Sequence, residues 1–229
     1  MPPPYPFEQA APVPSQERKT AHGMGLRLRR LSVPDAIVDR WYFSQEDPNW
    51  AYLEERPVIA AQSYGLEALL IQEAHRGVFY IEYIDVLLEG GYWDDIEEPA
   101  DHLDGIYLEP NEWLGAATLG ANYAYAAPLV GGARSSHAFR WSWLFGVGAG
   151  VGVVTGELKQ WKADDLGNPA YKRYLDEVKP DLATDLPPIV PILDLYSGWE
   201  FAFGDRAFMR VEGGLHTVVS WGVSGGVVF

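Results

Sequence analysis

Between Phe139 and Val153 the sequence alternates. Phe139, Trp141, Trp143, Phe145, Val147, Ala149, Val151 and Val153 fall on one set of positions, and Arg140, Ser142, Gly146, Gly148, Gly150 and Gly152 on the other. Successive side chains of an extended strand point to opposite sides, so this stretch reads as one long strand with an apolar and a polar face. A helix would suffer from glycine at 146, 148, 150 and 152, whereas a strand places all four on one side. The run Trp143 to Val154 is also far short of the eighteen or so apolar residues that a membrane helix needs.

The last residues repeat the pattern. Val219, Trp221, Val223, Val227 and Phe229 lie on one face of a strand over 218–229, interrupted by Gly225, and Ser220, Gly222, Ser224 and Gly226 lie on the other. An aromatic at a chain end must be tied down to be tolerated.

The same period through the rest of the chain gives eight strands in all. The first spans roughly 22–33, with Leu26 and Leu28 against Arg27 and Arg29. The second covers about 58–74, with Leu66, Ala68 and Leu70 against Glu67, Leu69 and Ile71, and His75-Arg76-Gly77 reads as a tight turn. A third runs from Val78 to about Trp93, where Glu82 and Asp85 fall on opposite faces and call for a β-bulge. The fourth, near 111–128, sets Leu119, Ala121, Tyr123 and Tyr125 against Thr118, Gly120 and Asn122. The fifth covers 137–158, and the sixth sets Leu193, Leu195, Trp199, Phe201 and Phe203 against Asp194, Tyr196 and Glu200. In the seventh, Met209, Val211 and Leu215 oppose Arg210 and Glu212.

Connections near 75–77, 130–136 and 204–205 are short, and the one near 217 is tight. Those near 34–57, 94–110 and 159–189 are long and hold nineteen of the thirty-two acids. The first long connection opens on Ser32-Val33-Pro34-Asp35, a capped helix start that predicts a short helix to about Tyr42. Every Pro after residue 34 is expected in a connection or at a strand end. Residues 1–21 form a Pro-rich, unstructured leader, and 22–229 the folded domain. The leader lacks a secretory signal, and a membrane-barrel reading would imply that the signal peptide has been removed.

Short turns on one side and mostly long loops on the other describe an up-and-down antiparallel barrel. Its apolar face could point into a lipocalin-like cup or out into lipid. Three features favour outside. Aromatics form two bands, Tyr123, Tyr125, Phe139, Trp141, Phe201, Phe203 and Phe229 towards the short turns and Tyr92, Trp93, Trp113 and Trp221 towards the long loops. The polar face holds both signs, Arg27, Arg29, Arg140 and Arg210 with Glu67, Glu73, Asp194, Glu200 and Glu212, which can pair in a narrow lumen. Its glycines leave room there for long side chains.

With Phe229 at its end and this layout, the stretch 22–229 resembles the eight-stranded bacterial outer-membrane β-barrels, the OmpA-, OmpX- and OmpW-like proteins. The segment Leu-Arg-Arg-Leu-Ser-Val-Pro-Asp-Ala-Ile-Val-Asp at 28–39 also looks like uncharacterised barrels of this kind. The resemblance implies residence in the Gram-negative outer membrane, contact with outer-membrane lipid and lipopolysaccharide, and recognition of the last strand by the barrel assembly machinery. The expected fold is an all-β, eight-stranded transmembrane barrel, porin-like in architecture but with a side-chain-filled lumen and no large pore.

A net charge of −15 speaks against nucleic acid, and the absence of cysteine excludes thiolate chemistry. The glycine run lacks the spacing of a dinucleotide loop. Asp94, Asp95, Glu97, Glu98, Asp101, Asp104 and Glu109 could attract divalent cations, without the spacing of a dedicated site. His216, beside Thr217 and Ser220, could serve a lipid-modifying enzyme, but nothing in sequence fixes a base within reach of a nucleophile, and a rim histidine is expected. No catalytic, cofactor or metal residue is therefore assigned. The expected role is structural or surface interaction, with a soluble ligand-binding barrel and a lipid-modifying enzyme as alternatives.

Overall fold

The computed structural model describes residues 20–34, 59–93, 106–131, 139–162, 179–182 and 187–229. These form ten strands: β1 (Thr20–Ser32), β2 (Ile59–Gln72), β3 (His75–Leu88), β4 (Gly91–Trp93), β5 (Ile106–Val130), β6 (Phe139–Lys162), β7 (Asp181–Leu182), β8 (Ile189–Phe203), β9 (Ala207–His216) and β10 (Val218–Val228). Eight of them close into a ring in the order β1-β2-β3-β5-β6-β8-β9-β10, every neighbour antiparallel. The ring closes between β1 and β10, from Gly23↔Val228 to Ser32↔Val219. Phe229 is tied into that seam: its N–H donates to His22 O (2.9 Å) and its carbonyl accepts from His22 N (3.2 Å). A closed ladder leaves no strand edge, and even β9, with ten residues, is long enough to cross a hydrocarbon layer when tilted.

The expected faces are the observed ones. Leu193 is 67% exposed, Leu195 60% and Trp221 61%, while Arg27, Glu67 and Arg210 are 3% exposed or less. Val151 lies on the outer wall and Glu200 inside, so the apolar face points outward and the lipocalin-like arrangement is overturned. Tyr123, Tyr125, Phe139, Phe203 and Phe229 are exposed towards the short turns, and Trp113 and Trp221 towards the other end. The side chains of Tyr92 and Trp93 lie outside the described residues. On the outer wall the Trp143 indole N–H donates to Ser197 Oγ at 2.7 Å. That bond satisfies a polar group that hydrocarbon could not.

Four local expectations need correction. His75-Arg76-Gly77 is strand; the turn is Glu73-Ala74, with Glu73 at φ +56° and exposed rather than in the lumen. No bulge interrupts β3, whose register with β2 runs unbroken from Ile59↔Leu88 to Gln72↔His75. Asp85 instead sits half-buried on the outward face near the long-loop end, where a carboxylate can reach the polar boundary. The register shifts fall between β5 and β6, at Pro110/Leu114 and Pro128/Val130, where proline cannot donate to the ladder. Pro191 lies inside β8, but its nitrogen faces the end of the β9–β10 hairpin, where Thr217 Oγ1 bonds its carbonyl at 3.3 Å.

Strands β5 and β6 are longer than expected and run on past the bulge, flanked by β4 and β7. In this projection Tyr107 packs edge-on against Trp161, 5.8 Å between ring centroids, and Lys159 pairs with Glu109 at 3.6 Å. The strand β1 begins at Thr20, two residues inside the expected leader, and residues 1–19 lie outside the described residues. So do the expected helix after Pro34 and the acids at 94–104.

Candidate functional site: the layered lumen

The inward positions build three layers. At the short-turn end Leu69, Val78 and Phe208 form one apolar cluster, and Ala124, Ala126, Leu144 and Tyr196 another. Beside them Arg76 spans the lumen to Glu200, with Nη2 to Oε1 at 2.7 Å and Nε to the same oxygen at 3.1 Å. The Arg76 Nη1 group donates to the carbonyls of Glu73 (2.7 Å) and His75 (3.1 Å), closing that end of the barrel. Arg140 is half-buried at the rim and pairs with Asp205 at 3.5 Å rather than entering the central network.

The middle layer is ionic. Arg29 reaches Glu212 through Nη2 (2.9 Å) and Nε (3.1 Å), and its Nη1 lies 3.3 Å from Asp194 Oδ1 and 4.0 Å from Glu82 Oε1. Arg27 bridges Glu212 (3.3 Å) and Glu67 (3.7 Å), and Arg210 closes on Glu67. Tyr80 donates to Asp194 Oδ2 at 2.9 Å, while its ring lies under the Arg27 guanidinium, 4.4 Å from ring centroid to Cζ. These contacts come from five strands, and only closure of the ring sets β1, β2 and β3 against β8 and β9. Isolated buried charges would be expelled from such a medium; paired and hydrogen-bonded, they are tolerated.

Lumenal glycines supply the room, as expected. A Cβ on Gly222 would sit 2.6 Å from Arg29 Cγ, and one on Gly146 would sit 2.1 Å from the Tyr196 ring. Much of the freed space goes to tyrosines, Tyr196, which shares the polar parity of Asp194 and Glu200, and Tyr80, which was not singled out in the sequence.

His216 is the main departure. It is 1% exposed and points inward, not at an interfacial rim. Its Nδ1 is 2.5 Å from Asp194 Oδ1, and its Nε2 is 2.9 Å from Glu82 Oε1. The signal was in the spacing: His216 shares the parity of Arg210 and Glu212, and β9 keeps that parity to its end. Thr217 forms the whole turn to β10 at φ +62°, a strained setting for a β-branched residue. Its N–H donates to Leu193 O (2.8 Å), and its hydroxyl accepts from Leu193 N (3.2 Å), so β8 holds the turn in place. Ser220 Oγ donates to Gly214 O at 3.5 Å. The His216, Thr217 and Ser220 side chains are thus each engaged elsewhere and do not assemble into a nucleophile and its base.

Above the ionic layer the inward residues change character. Arg29 is followed by Leu31, Glu82 by Ile84 and Asp194 by Ile192 on moving towards the long loops. Leu31, Ala61, Ile84 and Ala116 make one buried apolar cluster there, with Val86 and Val218 packed against it.

No protein-family model matches the chain, and neither does any curated protein. Among solved structures the chain is similar to Ail, the attachment invasion locus protein of Yersinia pestis, crystallised in complex with the heparin analogue sucrose octasulfate. The identity is 7%, the match covers 92% of this chain and 99% of Ail, and the TM-score is 0.37. The fold assignment rests on the closed ladder rather than on that likeness. A closed antiparallel ring with an apolar outer wall and a paired, charged interior is a transmembrane β-barrel.

Proposed function

We propose that this protein is a non-enzymatic bacterial outer-membrane barrel whose lumen is sealed and whose work is done at the surface. The observation that supports this most directly is the set of charge pairs across the lumen. Arg27, Arg29, Arg76 and Arg210 meet Glu67, Glu82, Asp194, Glu200 and Glu212 across a lumen only eight strands wide. Eight strands leave an interior that side chains fill. Ions would have to break several buried charge pairs to pass. The β4-β5-β6-β7 projection continues beyond the barrel on the long-loop side, where it can meet envelope lipid, lipopolysaccharide or another surface. Assembly through β10 and loose attraction of divalent cations to the acidic connections belong to the same reading.

The test is conductance. Full-length protein folded into a planar bilayer should leave the current at baseline in molar salt. Stepwise openings of uniform size would overturn the sealed-lumen reading.

A further inference from the structure

The top of the lumen has the wrong polarity for a plug that meets water. At one level the inward residue changes from charged to aliphatic in β1, β3 and β8, and small or aliphatic residues complete the ring. A cavity of about 310 Å³ remains inside this ring, at the long-loop end, with Ser32, Val33, Ile59 and Pro187 at its mouth and His216 among the residues below. We infer that this cup binds a single unbranched aliphatic chain, tail downward.

The chemistry of the wall selects that ligand. Leu31, Ile84, Val154 and Ile192 present branched aliphatic surface, and among the described residues no Phe, Tyr or Trp lines the cavity to favour a planar guest. The polar side chains at the wall are Ser32, Thr217 and His216, and two of these are occupied. Thr217 is bonded to the backbone of β8, and both His216 nitrogens face carboxylates. The His216–Asp194–Glu82 contacts close the bottom of the cup to charge. Among the described residues a charged or strongly polar head group finds no free partner inside, so it stays at the mouth. The size agrees: 310 Å³ is at the low end of ligand pockets and holds on the order of ten water-sized groups, hence a chain of roughly ten carbons. Cavities lined by aliphatic side chains accept apolar guests.

The same chain chemistry can come from a free amphiphile or from an acyl tail of membrane lipid, and the experiment separates them. Full-length protein with protonated isoleucine δ1 methyls on a deuterated background is placed in lipid nanodiscs. In one arm the lipid chains are deuterated and protonated 1-decanol is added. In the other the lipid chains are protonated and no decanol is present. Ile81, which is 61% exposed on the outer wall, reports ordinary contact with the hydrocarbon. Ile84 and Ile192 face the cup.

Nuclear Overhauser cross-peaks from chain protons to Ile84 and Ile192 are expected. In the decanol arm they identify a free amphiphile, and in the lipid arm an acyl tail. Filling the cup with Ala61→Phe and Ala116→Phe should remove these cross-peaks and leave those to Ile81, with the heat-shifted gel band confirming the fold. If that variant does not fold, the unmodified protein still decides the matter. Cross-peaks at Ile81 with none at Ile84 or Ile192 in either arm would overturn the inference, as would their survival in a folded Ala61→Phe/Ala116→Phe protein.

Discussion

Replacing Arg29 with methionine tests the ionic layer where it is densest. Methionine preserves most of the side-chain length but removes the charge and every donor. Arg29 lies between Glu212 at 2.9 Å, Asp194 at 3.3 Å and Glu82 at 4.0 Å, with its side chain 3% exposed. Arg27 stays 3.3 Å from Glu212, so one of the three carboxylates keeps an arginine partner and two lose theirs. Removing one partner of a buried pair costs about 3–5 kcal/mol, chiefly because the remaining charge is left uncompensated. With a urea dependence of about 2 kcal/mol/M, the unfolding midpoint should fall by roughly 2 M. Protein folded into lipid vesicles and followed by tryptophan emission and by heat-modifiable gel mobility gives that midpoint. Glu212→Gln should also destabilise, and the double substitution should cost less than the sum, with a coupling of about 0.5–3 kcal/mol. A change within about 0.5 kcal/mol for Arg29→Met, as at an exposed surface position, would refute the reasoning.

Three further outcomes follow from the same structure. Val147→Arg places a charge midway along β6 on a residue that is 57% exposed to the outer side, and should cost about 2–4 kcal/mol in vesicle unfolding. Gly146→Val sets a Cβ 2.1 Å from Tyr196 and should destabilise by at least ~1–3 kcal/mol, with partial recovery when Tyr196→Ala is added. Arg76→Ala strips Glu200 of a bidentate partner at 2.7 and 3.1 Å and should lower the urea midpoint by an amount similar to Arg29→Met.

The number, order and facing of the eight barrel strands were legible in the chain because a two-residue period marks them, whereas the short β4 and β7 were not: one falls inside the expected third strand and the other inside an expected connection. Leu26/Arg27, Tyr123/Asn122 and Trp199/Glu200 each fall as their parity dictates. Turns were less legible. His75-Arg76-Gly77 looks like a turn by composition, yet Gly77 pairs with Leu70 and Arg76 is needed inside to meet Glu200. The turn falls at Glu73-Ala74, which carries no glycine to announce it. The partners in the lumen could not be read at all, since Arg29 meets Glu212 across 183 residues and only ring closure brings them together. The apolar cup was hidden for a related reason: Leu31 or Ile84 alone reads as an ordinary strand end, and the ring appears only when seven strands are compared at one level.

The direction in which the apolar wall faces decides between a membrane barrel and a soluble cup. The protein has no native cysteine, so single spin labels at Leu195→Cys and Val223→Cys report that surface without interference. In vesicles, collision with oxygen, which concentrates in hydrocarbon, should far exceed collision with a water-soluble nickel chelate at both positions. Greater access to the chelate than to oxygen there would contradict the account.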